Sequence, residues 1–142
     1  MITLKEVKPW AIICDIDGTL ALRGDRGIYE WEKVGEDTLN EPIAKLVNYV
    51  ANRYEVLYVS GRNDVCVNQT RLWLYEHSMA LGRLFMRKDG DMRKDCIVKS
   101  EIYTNHIADH YNIAYVLDDR NQVVEMWRSL GLTCLQVADG NF

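Results

Sequence analysis

The stretch that decides the fold is "WAIICDIDGT", residues 10–19. Ala11, Ile12, Ile13 and Cys14 are apolar at every position, so the segment reads as a strand covered on both faces. Asp15 and Asp17 follow at once, and Gly18 and Thr19 turn the chain away. At i and i+2 on an extended chain, two carboxylates project to one side. Burying charge at the tip of a core strand is costly, so the tip itself is the candidate site.

Further apolar runs predict strands at 55–60 (EVLYVS), 83–87 (RLFMR), 113–118 (IAYVLD) and 132–138 (LTCLQVA), besides 10–15. Helical spacing falls between them. Residues 41–53 open with Pro42 and space Ile43, Leu46, Val47 and Val50 along one face. Residues 65–78, 95–111 and 120–132 also read as helices, the last stopped by Gly131. This alternation predicts an α/β domain, a three-layer α/β/α Rossmann-like fold around a central parallel sheet. In such sheets ligands bind beyond the carboxyl ends of the strands. There the second strand presents Ser60-Gly61-Arg62 and the fourth Asp118-Asp119-Arg120, beside Asp15 and Asp17. The intervals from Asp15 to Ser60 and from Ser60 to Lys99 leave no room for a large cap domain. An open site admits the end of a polymer.

Composition sets the limits. A chain of 142 residues reads as one domain, 1–142, able to bury about two-thirds of its unfolded surface. A net charge of −4 excludes indiscriminate coating of nucleic acid, while ten Arg against seven Lys suits forked recognition of phosphate. No apolar run is long enough to span a membrane, and "MITLKEVKPW" lacks the order of a secretory leader, which points to the cytoplasm. Cys14, Cys66, Cys96 and Cys134 lack metal-site spacing and read as reduced thiols. His106 and His110 read as surface residues, Trp73 and Trp127 as core.

Asp15, Asp17, Asp118 and Asp119, gathered at one edge, repel one another unless a cation intervenes. Oxygen ligands without His or Cys suit Mg2+. One carboxylate can then act as nucleophile and another as acid and base. Ser60, Arg62 and Lys99 would meet the phosphoryl oxygens, and Lys99 can also keep Asp15 ionised.

"DIDGT", "VSGR", a lysine on a later helix and "LDDR" together resemble the four motifs of the haloacid dehalogenase (HAD) superfamily, an aspartate at position 17 being typical of its phosphatases. From about Trp10 to Phe142, "GDMRKDCIVKSEI" and "VLDDRNQVVEMWRSLGLTCLQVADGNF" most resemble the 3′-phosphatase domains of phage-type polynucleotide kinase-phosphatases. The resemblance implies a Mg2+-dependent phosphatase for the 3′ ends of DNA or RNA, and some such enzymes also open 2′,3′-cyclic phosphates. It implies Asp15 as the nucleophile and Asp17 as acid, base and, through its carbonyl, metal ligand. Asp118 and Asp119 would hold the metal, and Ser60 and Lys99 would contact the phosphoryl group. Arg26, Arg62 and Asp95 match further substrate-binding positions. No G-x-x-x-x-G-K-[ST] loop is present, so no kinase activity is expected in these residues, leaving room for a separate kinase or ligase partner.

Other readings stay open. Arg26, in "LRGDRGIYEW", is a solvated charge or a clamp over the site. Tyr29 and Trp31 pin that loop to the domain or stack on a terminal base. Arg87, Lys88, Arg93 and Lys94 form a solvated loop or guide a phosphodiester backbone. Asp95 doubles as a helix cap. A phosphatase for nucleotides or phosphoproteins, or a non-catalytic module that binds phosphorylated ends, are the rival functions. The oligomeric state is not legible.

Overall fold

The computed structural model describes residues 7–142, so most of the stretch read for a leader lies outside the described residues. Five strands, β1 (Trp10–Cys14), β4 (Glu55–Asn63), β5 (Gly82–Arg87), β6 (Asn112–Asp118) and β7 (Cys134–Gln136), form one sheet in the order β5-β4-β1-β6-β7. Every neighbouring pair is parallel. β1 therefore lies at the centre, and its tip is flanked by the tips of β4 and β6.

Alternate residues of β1 feed two separate cores. Ile12 and Cys14 pack with Ala44 and Val47 of α1 (Glu41–Val50) and Trp73 and Leu74 of α2 (Val67–Glu76). Ala11 and Ile13 pack with Val98 and Ile102 of α3 (Asp95–Ile102) and Val123, Val124 and Trp127 of α4 (Asn121–Ser129). The three-layer α/β/α fold expected from the apolar pattern is the one observed. No helix among the described residues is long and apolar enough to cross a membrane.

Three features depart from the sequence pattern. β2 (Ala21–Leu22) and β3 (Thr38–Leu39) form a small antiparallel ribbon, and a 3-10 turn spans Trp31–Glu36. Two-residue strands are too short to show alternation. The helix expected over 95–111 ends at Ile102 and continues as a wide π turn over Tyr103–Ile107, closed by Ala108 N–H donating to the Tyr103 carbonyl at 2.8 Å. Buried Val98, Ile102 and Ile107 are spaced four and then five apart, and the wide turn keeps all three facing the sheet. Gly131 has φ +84° and ends α4 as expected.

The β1 tip is fastened at several points. Gly18 has φ +81°, and a Cβ there would lie 2.2 Å from Asp119 Oδ2, so this turn admits only glycine. Ala21 N–H donates to the Ile16 carbonyl, and Asn40 Nδ2 donates to the Thr19 carbonyl, tying the start of α1 to the same turn.

Candidate active site

Asp15, at the end of β1, and Asp118 and Asp119, at the end of β6, bring one carboxylate oxygen each within 4.8 Å of one another, and all three residues are buried. Lys99, in the second turn of α3, reaches across to this group. Its Nζ donates to Asp15 Oδ1 at 2.8 Å and Asp118 Oδ2 at 3.0 Å, with Asp95 Oδ2 3.8 Å away. Asp118 also accepts from Trp127 Nε1–H at 3.1 Å and from the Asp119 N–H at 2.9 Å. Thr19 Oγ1 donates to Asp15 Oδ2 at 3.0 Å.

Three carboxylates around one ammonium leave two negative charges unmatched. Burial, with Asp118 alongside, pushes the Asp15 carboxyl well above the usual carboxylate range despite the Lys99 ammonium. Burial and then Asp118 also raise Asp119, with Lys99 pulling the other way. Burial would lower Lys99, but Asp118, Asp15 and Asp95 more than offset it and hold the ammonium well above the lysine range. The donors are all oxygen, which suits a hard divalent cation. Gln122 lines the same cleft, and its Oε1 is a buried acceptor with no hydrogen-bond partner among the described residues. These residues fit Mg2+.

A second charged group stands beside the first. Arg62 grips Asp17 through Nε at 3.0 and 3.1 Å and Nη2 at 2.8 Å. The same Nη2 donates to Asp37 Oδ2 at 2.8 Å, and Nη1 to Thr70 Oγ1 at 3.1 Å. Arg26 donates to both oxygens of Asp37, at 2.7 and 2.9 Å, and more distantly to Asp17 at 3.5 Å. The Asp37 hydrogen bonds come first in raising the Arg26 guanidinium above its ordinary value. Trp73 Nε1–H donates to the Asp37 carbonyl at 2.8 Å, fastening the loop to α2. Asp37 is wholly buried while the Asp17 side chain is 42% exposed, so the group presents one carboxylate to the cleft.

The cleft, about 530 Å3, is lined by Asp15, Asp17, Arg62, Asp95, Asp118 and Asp119 among the expected residues. Ser60, Lys99 and Arg26 lie buried behind its wall. The Ser60 hydroxyl accepts the Arg62 N–H at 3.1 Å, at the foot of the Arg62 grip on Asp17. Asp95 is the first residue of α3 and Lys94 holds the cap position, so Asp95 is not the cap that the sequence suggests. It faces Arg87 at 3.4 Å and Arg120 at 3.9 Å instead. A Cβ on Gly61 would run into the Asp95 carboxylate and push it aside. A larger cavity of about 710 Å3 opens at the opposite edge of the sheet, where Glu55 is the one acidic lining residue among the described residues. Chemistry rather than volume selects the site.

Several open readings now close. Arg26 is buried and paired, not a solvated charge. Tyr29 does not pin its loop, because it is 74% exposed and the pinning falls to Arg26, Asp37 and buried Val34. Arg87 and Arg93 are engaged within the protein, Arg87 on the carbonyls of Gly61, Asp91 and Arg93, and Arg93 on Asp91 and Glu101. His106 and His110 are exposed, the His106 ring stacking on Phe85. Sequence reading missed Asp37, Thr70 and Gln122, and saw Trp73 only as core. No motif marks Asp37 in "GEDTLN".

Residues 9–142 match the family model described as the polynucleotide kinase PNKP phosphatase domain. A protein of Autographa californica nuclear polyhedrosis virus, named a bifunctional polynucleotide kinase/RNA ligase, is 36% identical over 126 residues, covering 86% of this chain and 18% of that protein. A structure of a Pnkp1/Rnl/Hen1 RNA repair complex contains a chain 38% identical with a TM-score of 0.93, over 99% of this chain and 46% of that one. A second Pnkp1/Rnl/Hen1 complex gives the same identity and TM-score over 97% and 49%. This chain therefore spans at most about half the length of these relatives. A class C acid phosphatase from Bacillus anthracis with tungstate bound shares the fold, at 15% identity and a TM-score of 0.61 over 80% of this chain and 53% of that one. By sequence and fold, the chain belongs to the family of polynucleotide kinase PNKP phosphatase domains within the HAD phosphatases.

Proposed function

We propose that this chain is a Mg2+-dependent polynucleotide 3′-phosphatase that works through an aspartyl-phosphate. Asp15 carries the reading: a carboxylate at the tip of the central strand lines the cleft with Lys99 behind it, and Asp17 stands at the same opening. An oxygen of Asp15 attacks the phosphorus of a 3′-phosphomonoester as the bond from phosphorus to the 3′ oxygen breaks. Asp17 gives its proton to that leaving oxygen. Asp17 then takes a proton from water, whose oxygen attacks the phosphorus of the aspartyl-phosphate. Inorganic phosphate leaves and the Asp15 carboxylate is restored.

Lys99 offsets the charge of Asp15 and Asp118 before and after attack. Arg62 holds Asp17 in place, and Asp37 takes a share of the Arg62 and Arg26 charges, so Asp17 does not face either in full. Mg2+, held by Asp15, Asp118, Asp119 and the Asp17 carbonyl, would offset the charge on the phosphoryl oxygens in the transition state.

The names of the relatives support a place in RNA repair, beside a polynucleotide kinase and an RNA ligase in the same chain or in a partner. Four free cysteines are in keeping with a reducing compartment. The test compares Mg2+-dependent phosphate release from a 3′-phosphorylated oligonucleotide, a mononucleotide and a phosphopeptide. The oligonucleotide should be preferred, and Asp15→Asn should release phosphate from none. Preference for the phosphopeptide would overturn the substrate, and an active Asp15→Asn protein the nucleophile.

A further inference from the structure

The catalytic carboxylates share their cleft with an apolar wall. Tyr29 and Trp31 reach it from the loop after β2, and Met92 from the loop between β5 and α3; all three line the same cavity as Asp15 and Asp17. Tyr29 is 74% exposed and Met92 87%. Neither stands out because its loop is slack. On the Tyr29 side, Arg26 is locked onto Asp37, the Gly27 N–H donates to Glu30 Oε1 at 2.7 Å, and the Tyr29 and Trp31 rings meet edge to face at 6.2 Å.

On the Met92 side, Arg87 Nη1 donates to the carbonyls of both flanking residues, Asp91 at 3.1 Å and Arg93 at 2.6 Å. The Arg93 guanidinium in turn grips Asp91 and Glu101. Each loop is tied down on both sides of a large apolar side chain that packs into no core. Holding such surface in water is unfavourable, and a site that handled only a phosphate would have no use for it.

At about 530 Å3 the cavity is in the range that holds a ligand much larger than phosphate. A nucleobase has the matching chemistry. Its flat face stacks on tyrosine without regard to base identity, and the polarizable thioether of methionine adapts to an aromatic ring. We propose that Tyr29 and Met92 hold the base of the nucleotide that carries the 3′-phosphate, with Trp31 bracing the Tyr29 ring. This inference rests on the 3′-end reading and deepens it: the enzyme recognises a terminal nucleoside of any base, rather than a phosphate alone.

The test uses two 3′-phosphorylated oligonucleotides that differ in the last nucleotide, one with a base and one abasic. The protein should prefer the base-bearing end by about tenfold in kcat/KM, the same for all four bases. Tyr29→Phe should keep that ratio, Tyr29→Ala should shrink it, and Tyr29→Ala/Met92→Ala should bring it close to one. A binding readout stands apart from turnover. A terminal 2-aminopurine 3′-phosphate bound to Asp15→Asn protein should lose fluorescence, and adding Tyr29→Ala should restore it. Equal rates on the two ends, or a preference that survives the double substitution, would overturn the inference and leave the 3′-phosphatase reading intact. Release from the phosphopeptide with none from either oligonucleotide would overturn both.

Discussion

Two charged groups meet at one cleft and differ in a single respect, whether their charges cancel. Asp15, Asp118, Asp119 and Lys99 leave two negative charges unmatched. Asp17, Asp37, Arg26 and Arg62 leave none once Asp17 has given up its proton. The carboxylates of the first group sit on strand tips fixed by the sheet, with Lys99 reaching in from α3, so they cannot move apart to relieve repulsion. The second is drawn together from the loops after β1 and β2 and from β4, and needs its own ion pairs to hold its shape. An unmatched group on rigid elements is poised for a cation, and a matched group on loops is poised to position something. Here it positions Asp17.

The largest effect that breaks this contrast is at Asp15. Asp15→Asn should lower kcat by about 10^4-fold or more with the fold intact by circular dichroism, because Asp17, the other carboxylate after β1, is gripped by Arg62 and cannot take over as nucleophile. Chelation by EDTA should abolish turnover reversibly. Asp119→Asn separates charge from catalysis. Asp119 makes no ion pair with Lys99, so removing its charge relieves repulsion. The metal-free variant should melt at a higher temperature than the metal-free parent. Added Mg2+ should then stabilise the parent by up to about 2–3 kcal/mol near a hundredfold excess over its dissociation constant, and the variant much less. A lower melting temperature for metal-free Asp119→Asn would show the first group to be balanced after all.

In the matched group the order is reversed, with stability leading and activity following. Asp37→Ala leaves Arg26 buried without its main partner, while Arg62 keeps Asp17 and Thr70. The cost should fall at the low end of the about 3–5 kcal/mol seen when one partner of a buried pair is removed. The kcat should drop by about 10- to 100-fold as Asp17 loses its setting, with little change in Mg2+ affinity. A loss of Mg2+ binding equal to that of Asp119→Asn would mean that the two groups act as one.

The same contrast explains what the sequence could tell. Asp15, Ser60 and Asp118 each follow an apolar strand, so position along the chain already placed them at one edge. Lys99 was found through its motif, and its burial follows from Val98 and Ile102 beside it on α3. Asp37 could not be found that way. Its partners are 11 and 25 residues distant, and nothing in a short acidic loop announces that it is buried. Arg26 stayed undecided for the same reason, since its burial depends on Asp37. The break in the helix after Ile102 was legible only in the four-then-five spacing of buried residues, which a single helical period hides.

The smallest expected effect lies at the rim, where Arg93 pairs with Asp91 and Glu101 at the protein surface. Ion pairs of this kind contribute little, so Arg93→Ala should leave the melting temperature at neutral pH almost unchanged. Its sign is fixed all the same. The Arg93 guanidinium holds the Asp91 and Glu101 carboxyls below their ordinary values, first through its hydrogen bonds. A carboxyl held low in the folded state adds stability above its unfolded value and loses it as pH falls through the folded one. Any gap between parent and Arg93→Ala should therefore be present at neutral pH and close progressively below about pH 4. Melting curves from pH 7 to pH 2 would show this, and a gap that widened in acid would mean that Arg93 works through something other than these two carboxylates.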